Sequence, residues 1–170
     1  MSHFELIESA VVSVATTQVE FTSIPQDYKH LRIMGHARSN RLGAYRTNQQ
    51  VRINGASSLY SSQSIFYTGG AGYNSALYLG QTSLSQSIIP ANSATANFFA
   101  AVLIDLYDYT DSYNKVIRTI TSWRDSSTYD IVVEHGARHA QDAITSIQLT
   151  NGVTDNFSVG TEFHLFGVGI

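Results

Sequence analysis

Cysteine is absent from the sequence, and proline occurs only twice in 170 residues. Without cysteine the chain has no disulfide framework, no thiolate nucleophile and no cysteine-ligated zinc site, which removes several classes of reaction. The fold must therefore be held together by packing. A chain of this length can bury one proper hydrophobic core and is too short for two, so we predict a single domain over residues 1–170.

Charge is also scarce, and one long segment has none. Residues 53–104, called the uncharged segment below, are 52 consecutive positions without Asp, Glu, Lys, Arg or His. Globular chains usually carry about a quarter of charged residues. The segment is rich in Ser, Gly, Ala, Asn, Gln and Thr, with tyrosine and phenylalanine interleaved. Depletion of charge together with enrichment in tyrosine is typical of surface that becomes buried in an association.

We therefore hypothesise that the uncharged segment supplies an interface. The alternative is a set of ordinary polar loops over a sandwich core. The candidate interface residues of this segment are its aromatic members Tyr60, Phe66, Tyr67, Tyr73 and Tyr78.

The charges that remain are unevenly distributed about a net charge of −3. Residues 29–52 contain six bases and no acid, whereas residues 105–170 contain nine acids and four bases. A basic strip suggests nucleic-acid binding, but the acidic balance and the lack of a reader motif argue against that partner. Head-to-tail contact between copies, or docking on an acidic surface, uses the same charges. Arg38, Arg41 and Arg46 form a second group of candidate interface residues.

Long apolar runs are missing as well. The start of the chain lacks the basic region and apolar run of a secretory signal, and no window approaches the ~20 apolar residues of a membrane span. We expect a soluble protein without a membrane partner, and we interpret the sequon at Asn156 as accidental.

Apolar residues recur with a period of two, and no segment sustains helical spacing, so we predict short strands and almost no helix. Residues 1–14 form an N-terminal arm or a first strand, and residues 143–150 form a late strand. Within the uncharged segment residues 76–81 are the clearest regular piece, followed by a serine-rich run at 83–87 and a loop from Pro90. The predicted fold is an all-β antiparallel sandwich of eight to ten strands with jelly-roll or related connections.

Residues 97–109 are apolar on both alternating faces through Ile104, as in a central strand that is covered on both sides. One face of a sandwich strand meets the core. The other face therefore requires a loop, an arm or a neighbouring subunit.

Candidate chemical motifs are weak. His135 and His139 are two imidazoles without a third ligand, whereas zinc takes three or four. The acids at 105, 108 and 111 lack the glycine and terminal glutamate of a calcium loop, and the glycine-rich run at 69–72 lacks the helix and lysine of a phosphate cradle. There is no Gly-x-Ser-x-Gly elbow, although a pair of carboxylates brought together by the fold stays open. We predict no enzyme, no metal and no cofactor.

Several segments together resemble a family of small structural proteins of tailed bacteriophages, many of them phages of aquatic bacteria. The similar segments are strand-and-turn patterns that follow one another in order over most of the chain. They are residues 21–31, 51–55, 96–109, 114–115, 143–147 and 163–167.

The resemblance implies a non-enzymatic virion component, most simply a capsid decoration or cement protein. Such a protein is a homotrimer or similar small oligomer on the capsid surface, assembled in the host cytoplasm, that bridges neighbouring major capsid subunits. The alternative is a tail-fibre or tail-tip module that binds host-surface carbohydrate, for which Tyr60, Tyr67, Tyr73 or Tyr78 would offer ring faces. A polysaccharide depolymerase is a third reading.

Overall fold

The computed structural model describes residues 4–69, 72–125, 128–152 and 155–169. These residues form twelve strands, and none of them is helical. No helix in the described ranges could cross a membrane. The strands are β1 Phe4–Val11, β2 Gln18–Phe21, β3 His30–Ala37, β4 Arg46–Ile53, β5 Tyr60–Thr68, β6 Gly72–Gln81, β7 Leu84–Pro90, β8 Ala100–Tyr107, β9 Lys115–Arg124, β10 Tyr129–Arg138, β11 Ile147–Asn151 and β12 Glu162–Val168.

The strands build two antiparallel sheets. The large sheet has the order β1-β12-β3-β8-β9-β10-β5-β6, and the small sheet has the order β2-β11-β4-β7. Without β1, β12 and the β9–β10 hairpin, the remaining strands follow the order β3-β8-β5-β6 in the large sheet and β2-β11-β4-β7 in the small sheet. This is the strand order of an eight-stranded jelly roll. The predicted all-β antiparallel sandwich is confirmed. Residues 4–11 form its first edge strand rather than a free arm.

Alternating side chains fill the space between the sheets. In β9 every second residue from Lys115 to Trp123 is buried, which is the period of a strand with one covered face. Ile104 and Ile117 from the large sheet and Val51 and Leu149 from the small sheet have no exposed surface. Packing of this apolar layer replaces the disulfides that the chain lacks.

Part of the interior is polar. Ser64, Ser87, Thr119 and Glu134 are at most 1 % exposed. The hydroxyl of Ser87 donates to Thr119 Oγ1 at 2.9 Å and so bridges the two sheets, and Thr119 Oγ1 lies 3.4 Å from Glu134 Oε2. Burial raises the pKa of Glu134, although hydrogen bonds from Ser62 and from the backbone oppose the rise. Neither Glu134 Oε1 nor Ser64 Oγ has a hydrogen-bond partner within the described ranges.

This polar layer explains why β5 and β7 are strands where the sequence predicts none. The inward positions of β5 include Ser62, Ser64 and Thr68, and β7 turns Ser87 inward. Serine and threonine at core-facing positions remove the apolar alternation on which strand prediction depends. The twelve strands exceed the eight to ten predicted for this reason.

The predicted strand at 143–150 begins later, because a side chain holds residues 143–146 outside the ladder. Asn54 Oδ1 accepts hydrogen bonds from the backbone N–H of Thr145 at 2.9 Å and of Ser146 at 3.2 Å. Its amide nitrogen donates to the Ala143 carbonyl at 2.7 Å. Strand β11 then starts at Ile147.

Asn54→Ala is expected to lower the free energy of unfolding by about 2 kcal/mol, because these bonds are lost and alanine is disfavoured at positive φ. The φ angle of Asn54 is +53°. Urea denaturation measures the effect, with Asn92→Ala in an exposed turn as the control. Equal midpoints for the two variants would show that the Asn54 contacts contribute nothing.

Candidate functional site

The outer face of the large sheet, on the side away from the small sheet, carries a row of apolar side chains. Directly opposed residues of antiparallel strands point to the same face. The registers place Met34 opposite Leu103, Leu103 opposite Ile120, Ile120 opposite Val133, and Val133 opposite Ile65. Met34 is 42 %, Val133 39 % and Ile65 62 % exposed. The row crosses five neighbouring strands, and no strand of the described residues packs over it.

The apolar surface widens at β10, β5 and β6. Here Ile131 lies opposite Tyr67, which lies opposite Tyr73. The Tyr67 ring stacks on Tyr129 with centroids 5.2 Å apart and meets Tyr73 edge-on at 4.7 Å. Tyr73 is 84 % exposed. We define the outer patch as Ile65, Tyr67, Tyr73, Leu77, Tyr129, Ile131 and Val133.

The outer patch is shallow rather than cleft-like. A concavity of about 180 Å³ lies among Ile65, Tyr67, Tyr73, Ile131 and Val133. A second of about 310 Å³ lies over Met34, Leu103 and Ile120. Small-molecule sites are deep and enclose most of their ligand, whereas a broad apolar face of this kind is typical of surface that contacts another protein.

Tyr67 and Tyr129 also share a hydrogen bond, with their hydroxyl oxygens 2.9 Å apart. The bond to Tyr129 raises the pKa of Tyr67, because the neutral phenol is the form that donates. The Tyr67 hydroxyl is therefore neutral at physiological pH, and no Asp, Glu, Lys, Arg or His belongs to the patch.

A cluster of two arginines and one aspartate borders this apolar surface. Arg32 Nε donates to Asp105 Oδ1 at 2.6 Å, and Arg118 Nη2 donates to Asp105 Oδ2 at 2.6 Å. Burial would raise the pKa of Asp105, but the hydrogen bonds from both arginines outweigh burial and lower it. Two partly exposed guanidinium groups on one carboxylate leave this border with one net positive charge.

The uncharged segment supplies much of the site, but only some of the predicted aromatic residues reach it. Tyr67 and Tyr73 lie in the outer patch. Phe66 and Tyr78 are half-buried and share the opposite face of β5 and β6, since each pairs with an inward-facing residue of the neighbouring strand. The expectation for Tyr60 needs correction, because Tyr60 has no exposed surface and its hydroxyl accepts a bond from the Ile53 N–H at 2.9 Å.

The predicted arginines do not join the aromatic group. Arg46 binds the buried carboxylate of Asp130 at 2.8 Å, and Arg41 lies 3.6 Å from Asp155. Arg38 also needs correction as an interface residue, because it is only 8 % exposed. Its guanidinium donates to four carbonyl oxygens of the loop before β8, each at 2.9 Å. These carbonyls belong to Ala91, Ala94, Thr95 and Phe98.

In the structure the residues of the weak chemical motifs contact different neighbours. His135 lies on the outer face, while His139 Nε2 lies 2.6 Å from Ser61 Oγ. Asp105 binds arginines, whereas Asp108 lies 3.7 Å from Lys29. The described ranges contain no group of three or more acids and histidines that could hold a metal ion. Of the glycine-rich run, Gly70 and Ala71 lie outside the described residues.

Residues that sequence reasoning missed include Ile65, Leu77, Ile131 and Val133. The signal for Ile131 and Val133 was the alternation along β10, where they share one face of the strand with Tyr129. The sequence of β10 does not show which of its two faces meets the core. The face opposite Ile131 and Val133 carries Val132 but also Glu134, and the structure buries both.

Comparison with known proteins adds no assignment. No family model matches the chain, and no curated protein or solved structure matches it either. The resemblance to phage structural proteins stays a prediction, so the outer patch is the feature from which function has to be argued.

Proposed function

We propose that this chain is a non-enzymatic structural protein of a tailed-phage particle. In this proposal it is a decoration or cement protein that associates with itself, docks on the major capsid protein and holds neighbouring capsid subunits together. The observation that supports it is the outer patch. This surface is apolar and carries no charged residue, and no other strand of the described residues covers that face of the large sheet.

Burial of the patch supplies the driving force in this proposal. Taking one Leu, Ile, Val or Phe side chain out of water contributes about 1.5–3 kcal/mol. A stable interface removes about 800 Å² of accessible surface from each partner. The row from Met34 to Ile65 extends the apolar surface across five strands, and the arginine pair around Asp105 would face acidic groups at its rim.

Stabilisation follows from binding only the assembled shell. A ligand that binds one state alone stabilises it by RT ln(1 + [L]/Kd), about 4 kcal/mol at a concentration of ~1,000 Kd. An oligomer engages several subunits at once, and each further contact is then intramolecular. The trimer or similar small oligomer implied by the resemblance would meet this requirement.

The experiment is electron cryomicroscopy of particles of the encoding phage, produced with the parent chain or with Ile65→Glu plus Ile131→Glu. The parent is expected as extra density on the capsid surface, and the double variant is expected to be folded but missing from the particles. The added carboxylates would have to be buried against the shell. Val14→Glu is the matched control, because Val14 is 77 % exposed and lies outside the patch. Normal capsid density for the double variant, or no capsid density for the parent, would refute the proposal.

A carbohydrate-binding tail module is the second candidate, and the tyrosine cluster favours it. Tyr73 is 84 % exposed, so its ring could stack on a sugar. A glycan array with the parent and Tyr73→Ala separates the candidates. A decoration protein is expected to show no selective saccharide binding. Selective binding that Tyr73→Ala abolishes would replace the capsid proposal with this one.

A further inference from the structure

Strand β6 is the free edge of the large sheet nearest the outer patch. It pairs with β5 on one side, and no strand of the described ranges lies on its other side. Leu77 and Leu79 on this strand are each 67 % exposed. The outward N–H and C=O groups of such an edge form a template for another strand.

The other edge of the large sheet carries features that oppose strand addition, and β6 lacks most of them. Strand β1 contains Glu5 and Glu8, with an irregular register between Leu6 and Glu8. Charges and bulges of this kind prevent edge-to-edge pairing. Strand β6 has neither charge nor proline, and its one register shift lies at its end, where Gly80 has a φ of +62°. Residues 72–78 therefore form a regular, uncharged edge.

The uncharged edge β7 of the small sheet differs again, because side chains of the large sheet engage it. The Ile88 N–H donates to Thr121 Oγ1 at 3.1 Å, and the Gln86 N–H donates to Glu134 Oε2 at 3.3 Å. These donors are no longer available to a second chain. On β6 the side chains of Asn74 and Gln81 reach the carbonyls of Gly72 and Leu79, near the two ends of the strand. Among the described edges without charge, the middle of β6 is therefore more open than β7.

We propose that β6 pairs antiparallel with β6 of a second copy of this chain, across a two-fold axis near Ala76. In this register Ala76 lies opposite its own copy, so the smallest side chain is at the axis. On the outer face Leu77 lies opposite the partner's Ser75. On the inner face Asn74 lies opposite the partner's Tyr78.

The absence of charge selects a second copy as the partner. Across the two-fold axis Ala76 faces its own copy, and each Leu77 lies diagonally from the partner's Leu77, within reach of a long side chain. A lysine or glutamate there would therefore meet a like charge, which destabilises a cross-strand pair. A different protein could present the opposite charge, so it would not require the strand to be uncharged. The two residues of β5 nearest the middle of β6 on the outer face, Gln63 and Ile65, are uncharged as well.

The pairing would also explain how one small protein spans a subunit boundary, a step that rests on the proposed function. Two large sheets joined at β6 form one continuous outer face with two outer patches related by the axis. Each patch could dock on a different capsid subunit. Bivalent attachment of this kind raises the apparent affinity without any new contact.

The test is the mass of the purified full chain in solution, measured by light scattering and native mass spectrometry. The parent is expected to be a dimer at micromolar concentration. Leu77→Lys and Leu77→Glu are each expected to weaken dimerisation at least about tenfold and to run as monomers, because the two like charges then lie diagonally across the axis on the same face, within reach of each other. An equimolar mixture of the two variants is expected to recover a dimer with one copy of each.

Leu42→Lys is the control, because Leu42 is 81 % exposed in a loop far from β6 along the chain, and this variant is expected to remain a dimer. Circular dichroism confirms that every variant is folded.

A monomeric parent, a parent trimer that Leu77→Lys leaves intact, or a mixture that stays monomeric would overturn the proposal, since pairing of one strand with itself produces two-fold symmetry only. A dimeric parent that is missing from the capsid would contradict the proposed function alone. A capsid-bound parent whose association survives Leu77→Lys would contradict the β6 pairing alone.

Discussion

Arg38→Met is expected to lower the free energy of unfolding by about 3–4 kcal/mol, because one buried guanidinium satisfies four backbone carbonyls. Methionine fills much of the same space but donates no hydrogen bond. The carbonyls of Ala94 and Phe98 then lose this donor, whereas those of Ala91 and Thr95 keep a backbone N–H within the loop. For a domain of this size the loss corresponds to a fall in Tm of roughly 6–16 °C.

Two further variants separate the possible causes of this loss. Arg38→Lys keeps the positive charge but not the planar fork, so it is expected to lose most of the same stability. Arg41→Met is the control, because the Arg41 side chain is 49 % exposed and its ion pair with Asp155 spans 3.6 Å. Exposed pairs contribute about 0–1 kcal/mol. Similar denaturation midpoints for Arg38→Met and Arg41→Met would show that the four hydrogen bonds are not stabilising.

Glu134→Gln is expected to stabilise the protein at neutral pH by about 1–3 kcal/mol, the cost of one unsatisfied buried acceptor. Glu134 is fully buried, and its Oε1 has no hydrogen-bond partner among the described residues. Glutamine is neutral, and its amide can donate towards Ser64, whose hydroxyl also lacks a partner.

The direction of the pH effect follows from the raised pKa of Glu134, which burial causes. The folded state then holds this proton more tightly than the unfolded state, whose glutamate titrates near 4.3. The stability of the parent should fall as pH rises from this value through the folded pKa, and the glutamine variant should lack this fall. The advantage of Glu134→Gln is therefore expected at pH 7.5 and is expected to vanish near pH 4.

Urea denaturation at several pH values measures the difference between parent and variant. Asp105, whose pKa is lowered because its bonds to Arg32 and Arg118 outweigh burial, contributes the opposite slope but is common to both proteins. The difference therefore isolates Glu134. Glu162→Gln is the control, because its carboxylate is 35 % exposed. A constant offset between parent and Glu134→Gln at every pH would contradict this account.

Local pattern was sufficient to predict the class of fold. The alternation in β9, β10 and β12 and the turn at Asn54–Gly55 require only the two-residue period of a strand and the φ preferences of turn residues. Strands β5 and β7 escaped prediction, because their inward serines are buried through contacts with other strands and not through their own hydrophobicity. The same is true of Tyr60, a tyrosine like its neighbours until β4 provides a hydrogen bond to its hydroxyl.

The sequence alone determined that the protein is an antiparallel β-sandwich held by packing, and that 52 consecutive residues of it carry no charge. The tertiary structure decided which of those residues are accessible. It buries Tyr60, turns Tyr67 and Tyr73 outward, and brings Ile131 and Val133 beside them from a strand some sixty residues later in the chain. Which face of a strand is covered depends on the strands that pack against it, and these come from distant parts of the chain, so residue order alone could not specify it.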